Sequence, residues 1–120
     1  ADWFGIKQIV CSIDSADCYN PKVVQATMGS IARVDVVYTD LKEWLLQNKA
    51  VKKFIAALEG YPVSEMKKIK EGIVIIGNES KGVSEAVMKL ADEKITILRT
   101  GDAESLNAAV ATGIILSHLV

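Results

Sequence analysis

The chain has 120 residues, of which 50% are apolar and 24% are charged, and this composition excludes an intrinsically disordered or low-complexity protein. The 14 Lys and Arg against 15 Asp and Glu give a net charge of −1, which excludes the bulk basic field of a non-specific nucleic-acid binder. The longest apolar runs fall far short of the roughly 20 residues of a membrane span. The sequence predicts one soluble, cytoplasmic domain over residues 1–120, with no membrane and no metal partner.

The predicted strands are short apolar or β-branched runs bounded by turn-forming residues. In chain order they are Ile6–Ser12, Val34–Tyr38, Lys53–Leu58, Ile73–Ile76 and Lys94–Leu98. The fourth run shows no alternation of polar and apolar residues, so both of its faces should be covered. The segment after the third run, Glu59–Pro62, is predicted as a loop because it contains Gly and Pro.

The predicted helices are amphipathic or small-residue segments that lie between these strands. They cover Lys22–Met28, Leu41–Asn48, the segment from the cap Ser84 to Leu90, and Leu106–Val120. Thr39 or Asp40 is the predicted cap of the second. Strands that alternate with helices indicate an α/β fold with a mostly parallel sheet and helices on both faces.

Three loops are predicted to bind a ligand, because open α/β sheets bind ligands beyond the carboxyl ends of their strands. They are Glu59–Pro62, Gly77–Gly82 and Leu98–Ser105. The second loop runs from a strand through two glycines into a helix, as a phosphate-binding loop does. However, Lys81 precedes the second glycine, whereas a phosphate loop needs Lys and then Ser or Thr after it. No Gly-x-Gly-x-x-Gly motif is present either, so neither nucleotide site is indicated.

Single polar residues carry little information on their own. Ser105 and Asn107 flank the start of the last helix, where Ser ordinarily serves as an N-cap. His118 has no nucleophile or carboxylate close in sequence and is predicted to be solvated or packed. The lysines of Lys67–Lys70 are predicted to lie in solvent rather than against a phosphate.

Three blocks of sequence are more specific together than any one of them. They are Asp17–Ser30, Ile73–Val83 and Ile95–Ala111, the last containing the run Glu104-Ser105-Leu106-Asn107. In content, order and spacing they resemble the SpoU/TrmH family of RNA ribose 2′-O-methyltransferases, which belongs to the SPOUT class. The resemblance covers nearly the whole chain.

The resemblance implies a SPOUT-type α/β knot, that is, a deep C-terminal trefoil knot, in a homodimeric protein. It also implies S-adenosylmethionine as cofactor and tRNA or rRNA as substrate, methylated on a ribose 2′-hydroxyl. By position, the cofactor slot would use Leu58, Glu59, Gly60, Gly77, Glu79, Ile97 and Leu106. The residues that match family positions around the reacting groups are Glu79, Ser105 and Asn107.

The resemblance further implies that the catalytic base precedes these residues. Ala1–Gly5 looks like the stretch that follows the family's asparagine–arginine motif, so the arginine and the N-terminal part of the domain would lie before Ala1. We therefore expect the 120 residues to bind the cofactor without transferring its methyl group, because the loss of one acid–base residue typically removes about 10²–10⁴ in rate. Leu98-Arg99 departs from the family's proline–methionine, and the role of Arg99 is left open.

Two other interpretations stay open at this point. A non-catalytic RNA- or nucleotide-binding module could share the fold, and an upstream asparagine–arginine motif would argue against it. A flavodoxin-like signalling domain would fit the strand pattern, but it would need an exposed acidic cluster at the strand ends, and the chain lacks a convincing one.

Overall fold

The structure is a computed structural model that describes residues 2–12, 34–77, 83–101 and 107–120. Two compact units divide the chain, one over Ala1–Trp44 and the other over Leu45–Val120. The predicted helix Lys22–Met28 lies outside the described residues. The single domain predicted over the whole chain stays a prediction.

The first unit contains a pair of parallel strands, β1 (Gln8–Cys11) and β2 (Asp35–Tyr38), which confirms the two predicted strands in slightly shorter form. Helix α1 (Leu41–Gln47) follows directly. Asp40 caps it, as the sequence allows, because its carboxylate Oδ1 accepts a hydrogen bond from the Glu43 amide at 3.3 Å. An acceptor at this position pairs one of the amides that a helix start leaves without an intrahelical partner.

The second unit is built on a three-stranded parallel sheet. Its strands are β3 (Lys53–Pro62), β4 (Ile73–Ile75) and β5 (Glu93–Thr96), in the order β4-β3-β5. Helix α2 (Glu85–Met88) precedes β5, and helix α3 (Ala108–Leu119) ends the chain. Parallel neighbours that are separated by helical connections are what the alternating sequence pattern predicts.

Apolar side chains from β3, β5 and α3, together with Val63 of the short 3-10 helix that follows β3 (Val63–Glu65), form the core of this unit. The buried cluster comprises Phe54, Val63, Ile95, Ile115 and Leu119. Ile115 and Leu119 are four residues apart and so lie on one face of α3. Each such side chain contributes about 1.5–3 kcal/mol when it is fully buried, and together they hold α3 against the sheet.

The short helix α2 begins as predicted at Ser84, whose hydroxyl accepts a hydrogen bond from the Val87 amide at 3.4 Å. The helix itself ends at Met88 rather than Leu90, and a turn covers the last two residues. None of the helices in the described part of the chain has the length and hydrophobicity that a membrane crossing requires.

Lys53, the first residue of β3, is a buried cation. Only 4% of its surface is exposed, and its ammonium donates to the carbonyl oxygens of Asn48 at 2.7 Å and Val51 at 2.8 Å. Its main-chain amide donates to Asp92 Oδ2 at 2.7 Å. One residue thus ties the turn after α1 and the start of β5 to the amino end of the central strand.

Replacing Lys53 should therefore cost far more stability than replacing its neighbour. Lys53→Met removes two hydrogen bonds from a charged donor, and we expect the free energy of unfolding to fall by about 1.5–3 kcal/mol. Lys52→Met is the matched control, because the Lys52 side chain is 56% exposed and pairs with Glu93 at the surface; we expect it to lose about 1 kcal/mol or less. Urea unfolding measures both, and equal losses would show that the Lys53 contacts contribute little.

Candidate functional site

The three loops predicted to bind a ligand begin at the same edge of the sheet. Ile75 of β4 and Lys94 of β5 both lie opposite Ile55 of β3. Since the strands are parallel, the residues that follow them emerge on the same side. Gly77, two residues beyond Ile75, and Ile97, three residues beyond Lys94, therefore flank the continuation of β3. This edge is where open α/β sheets bind ligands.

The central strand is interrupted at this edge. Ile95 of β5 lies opposite Ala56 and again opposite Tyr61, so the residues from Ala57 to Gly60 leave the ladder. We call these four residues, 57–60, the excluded loop. The sequence prediction that the strand ends at Leu58 is wrong, because β3 resumes its pairing at Tyr61 and continues to Pro62.

The excluded loop presents the first three predicted cofactor residues to solvent. The Leu58 side chain is 79% exposed, and Glu59 and Gly60 are exposed as well. Main-chain groups in this loop lie outside the β3–β5 ladder, so those that the protein does not pair itself can bind a ligand. The segment therefore suits recognition by backbone groups beside an apolar side chain.

Gly60 lies against the neighbouring strand. A Cβ atom at this position would come within 2.7 Å of both the carbonyl carbon and the carbonyl oxygen of Lys94, and 3.0 Å from the Ile95 nitrogen. Only a residue without a side chain allows the two backbones to approach this closely. Gly60 is therefore needed by the protein's own packing, whatever contact it makes with a ligand.

A hydroxyl group holds the middle of the excluded loop. Thr96, the last residue of β5, is 8% exposed, and its Oγ1 donates to the Leu58 carbonyl oxygen at 3.2 Å. Thr96 is not among the site residues predicted from the sequence. The only available signal was a hydroxyl between two isoleucines at the end of a buried strand, a pattern that core threonines share.

The other two described cofactor residues belong to the walls of this edge. Ile97 is half-buried and packs against the core cluster, as does Ile76, the residue before Gly77. Gly77 is itself half-buried. Beyond Ile97 the chain becomes open to solvent, with Leu98 64% exposed and Arg99 exposed. The arrangement offers an apolar wall with exposed leucines at its rim.

Asn107 is the N-cap of α3. Its side-chain Oδ1 accepts hydrogen bonds from the Ala109 amide at 2.8 Å and the Val110 amide at 3.3 Å. The carbonyl of the side chain is thus committed to the helix, which leaves the NH₂ group as the part that can address a ligand. Any role in orienting a substrate is limited to donation.

Three predicted site residues, Glu79, Ser105 and Leu106, lie outside the described residues. Of the described ones, the structure brings Leu58, Glu59, Gly60, Gly77 and Ile97 to the same edge of the sheet. Over the described ranges, no three His, Cys, Asp or Glu side chains meet in a way that could hold a metal ion. His118 is exposed on the last turn of α3.

Comparison with known proteins identifies the family of the chain. The sequence profile of the SpoU rRNA Methylase family matches residues 1–117. The chain belongs to the SpoU rRNA methylase family. This membership confirms the resemblance and the SPOUT fold class, of which the deep knot is an implied part, and it excludes the flavodoxin-like interpretation.

Individual SpoU relatives agree with this assignment. The "23S rRNA (guanosine(2553)-2'-O)-methyltransferase RlmP" of Bacillus subtilis is 34% identical over 122 residues, which cover 99% of this chain and 49% of the relative. The SpoU methyltransferase AviRb from Streptomyces viridochromogenes, solved in complex with AdoMet, has a TM-score of 0.85 at 28% identity, covering 98% of this chain and 50% of its own.

A second AdoMet-bound structure, an rRNA methyltransferase from Sinorhizobium meliloti, has a TM-score of 0.88 at 26% identity and covers 98% of this chain and 46% of its own. The SpoU-family chain described here spans about half the length of the curated relatives it matches. The likeness therefore applies to the whole of this chain but to one part of the relatives.

The close approach at Gly60 predicts a strong effect of a single methyl group. Gly60→Ala forces the excluded loop away from β5, and we expect the free energy of unfolding to fall by about 1–3 kcal/mol. Gly101→Ala is the matched control, because nothing lies within 4 Å of a Cβ built there; it should stay within about 0.5 kcal/mol of the parent. Denaturant unfolding of the two variants compares them directly. If Gly60→Ala is as stable as the parent, the excluded loop can move away from β5 at no cost in stability.

Proposed function

We propose that this chain binds S-adenosylmethionine at the edge formed by the excluded loop, Gly77 and Ile97, as the cofactor-binding part of an RNA ribose 2′-O-methyltransferase. The observation that carries the proposal is that a chain with a SpoU family match over residues 1–117 brings the excluded loop, Gly77 and Ile97 to one edge of its sheet. The substrate proposed is tRNA or rRNA. The named relatives support transfer over the non-catalytic alternative, because they are methyltransferases.

The residues at this edge fit an adenosine-containing cofactor. The exposed side chains of Leu58 and Leu98, 79% and 64% exposed, provide apolar surface, and the excluded loop provides main-chain donors and acceptors for a flat heterocycle. Gly77 allows close approach, because it has no side chain. Ile97 forms part of the apolar wall. Glu59 and the undescribed Glu79 and Leu106 complete the proposed set. When bound, the cofactor supplies an activated methyl group.

We assign the orientation of the substrate to Glu79, Ser105 and Asn107. Asn107 can act on a substrate only as a hydrogen-bond donor, because its Oδ1 already accepts two amide hydrogen bonds. The remaining NH₂ group would donate to an oxygen of the substrate. Such a contact aligns the reacting hydroxyl, and alignment is a large part of what an enzyme contributes to a transfer between two bound groups.

A homodimer and a cytoplasmic location belong to the same proposal. The α3 helix exposes Val110 at 51%, and Val120 beyond it is 46% exposed. Its small residues Ala108, Ala109 and Ala111 would allow a second helix to pack closely. Covering such a surface favours association with another copy. The cytoplasmic location follows from the proposed tRNA or rRNA substrate.

The cofactor site predicts opposite outcomes for two substitutions. Gly77→Val fills the space next to the loop and should abolish the binding of S-adenosylmethionine or its demethylated product. Lys67→Ala removes an exposed side chain that is not part of the proposed site and should leave the affinity unchanged. Isothermal titration calorimetry on the two variants and the parent decides the matter. Equal affinities for Gly77→Val and the parent would overturn the assignment of this edge.

Two substitutions at Asn107 separate the helix cap from the proposed orientation of substrate. Asn107→Ser keeps a good N-cap and loses the amide donors, so stability should hold within about 0.5 kcal/mol while transfer falls on the order of 10²-fold. Asn107→Ala loses both functions and should also cost about 0.5–2 kcal/mol. Transfer is measured with a protein extended before Ala1 through the family's asparagine–arginine motif, by analysing tRNA and rRNA for 2′-O-methylated nucleosides. Full activity of Asn107→Ser would show that Asn107 serves only as a helix cap. Methylation on a base rather than on the ribose would contradict the proposed reaction.

A further inference from the structure

Thr96 has a buried hydroxyl and is not among the residues of the proposed cofactor site. It ends β5 with 8% of its surface exposed, and its Oγ1 lies 3.2 Å from the Leu58 carbonyl oxygen and 3.5 Å from that of Ile97. A hydroxyl has a single proton, so it serves one acceptor at a time. The shorter contact, to Leu58, is the one with ordinary hydrogen-bond geometry. The hydroxyl therefore joins β5 to the excluded loop.

This hydrogen bond reaches the loop at a residue that side-chain packing does not hold in place. Side-chain packing cannot fix Leu58, because that side chain is 79% exposed. Gly60 fixes only the far end of the loop, through its close approach to Lys94. The ladder itself resumes at Tyr61. Between Ala56 and Gly60, the Thr96 hydroxyl is thus a contact that holds the main chain at Leu58.

We propose that Thr96 is a positioning residue for the cofactor: its hydroxyl holds the main chain of the excluded loop where that chain can bind the adenosine part of S-adenosylmethionine. The inference rests on the proposed function, since it assumes that the cofactor lies at this edge. Thr96 need not touch the ligand. By ordering the loop before binding, it removes part of the entropy that the cofactor would otherwise have to offset.

Three variants isolate the hydroxyl. Thr96→Val keeps the shape of the side chain and removes the donor, and Thr96→Ser keeps the donor. Thr112→Val is the matched control, because the Thr112 hydroxyl also donates to a main-chain carbonyl, that of Ala108 at 2.7 Å, but inside α3. We expect Thr96→Val to bind S-adenosylhomocysteine about 3- to 10-fold more weakly than the parent in calorimetry. Thr96→Ser should recover most of the affinity, and Thr112→Val should match the parent.

Hydrogen–deuterium exchange gives a second measurement that needs no ligand. In Thr96→Val, exchange should rise in peptides that cover residues 57–60 and stay unchanged over residues 53–56, where β3 remains paired. A general loss of stability would instead raise exchange in both, and Thr112→Val reports what a lost threonine hydroxyl does elsewhere. Unchanged exchange over 57–60 would overturn the proposed role.

The outcomes separate this inference from the proposed function. If the parent binds S-adenosylhomocysteine and Thr96→Val binds it equally well, the positioning role is wrong and the proposed function stands. The same conclusion follows if Thr112→Val loses as much affinity as Thr96→Val, or if Thr96→Ser recovers none. If the parent chain binds neither S-adenosylmethionine nor S-adenosylhomocysteine, both the proposed function and the positioning role are overturned.

Discussion

Strand β3 has ten residues, whereas its neighbour β5 has four, and β3 pairs with this short neighbour at both ends. Ile95 lies opposite both Ala56 and Tyr61. These two residues of β3 are five positions apart and would be separated by about 17 Å in an extended strand, yet they pair with the same residue of β5. The intervening residues therefore leave the sheet. This difference in length explains three features of the loop. Leu58 is exposed, Gly60 must lack a side chain to approach β5, and the Thr96 hydroxyl can reach the Leu58 carbonyl.

The two ends of the central strand are stabilised by different physics. At the amino end, the ammonium of Lys53 and the carboxylate of Asp92 make charge-assisted hydrogen bonds to the main chain. Such bonds are strong where water is scarce. At the carboxyl end, the contacts are a steric fit at Gly60 and a neutral hydroxyl at Thr96. The two contacts that hold the loop at this end therefore involve no charged side chain.

The sequence predicted the strands and helices of the described residues well, because their signals are local. Caps such as Asp40 and Ser84 lie three residues from the amides they serve, within the span that pattern analysis covers. The second half of β3 was missed, because Gly60 and Pro62 are loop signals and the pairing that overrides them comes from β5, more than thirty residues away. The burial of Lys53 was hidden for a similar reason: charge indicates a surface position until the carbonyl groups around it are known.

The sequence predicted where the candidate site residues lie along the sheet, but it did not predict the structural roles of Gly60 and Asn107. The strand-end rule selected the loops that begin at Glu59, Gly77 and Leu98, and the parallel register brings the starts of these loops to one edge. Nothing in the sequence showed that Gly60 serves the protein's own backbone, or that the Asn107 carbonyl is taken up by the α3 amides. Both depend on atoms of partners that a linear pattern does not reveal.

The excluded loop separates two properties that usually change together. Its main-chain path is set by Gly60, which packs against β5, and by Thr96 of β5. Leu58 and Glu59, in contrast, are exposed to solvent. Substitutions at Leu58 and Glu59 can therefore alter the size, polarity and charge of this surface while the backbone keeps its course. Under the proposed function, redesign for a cofactor analogue with a substituted base can begin at these two positions and leave Gly60 and Thr96 unchanged.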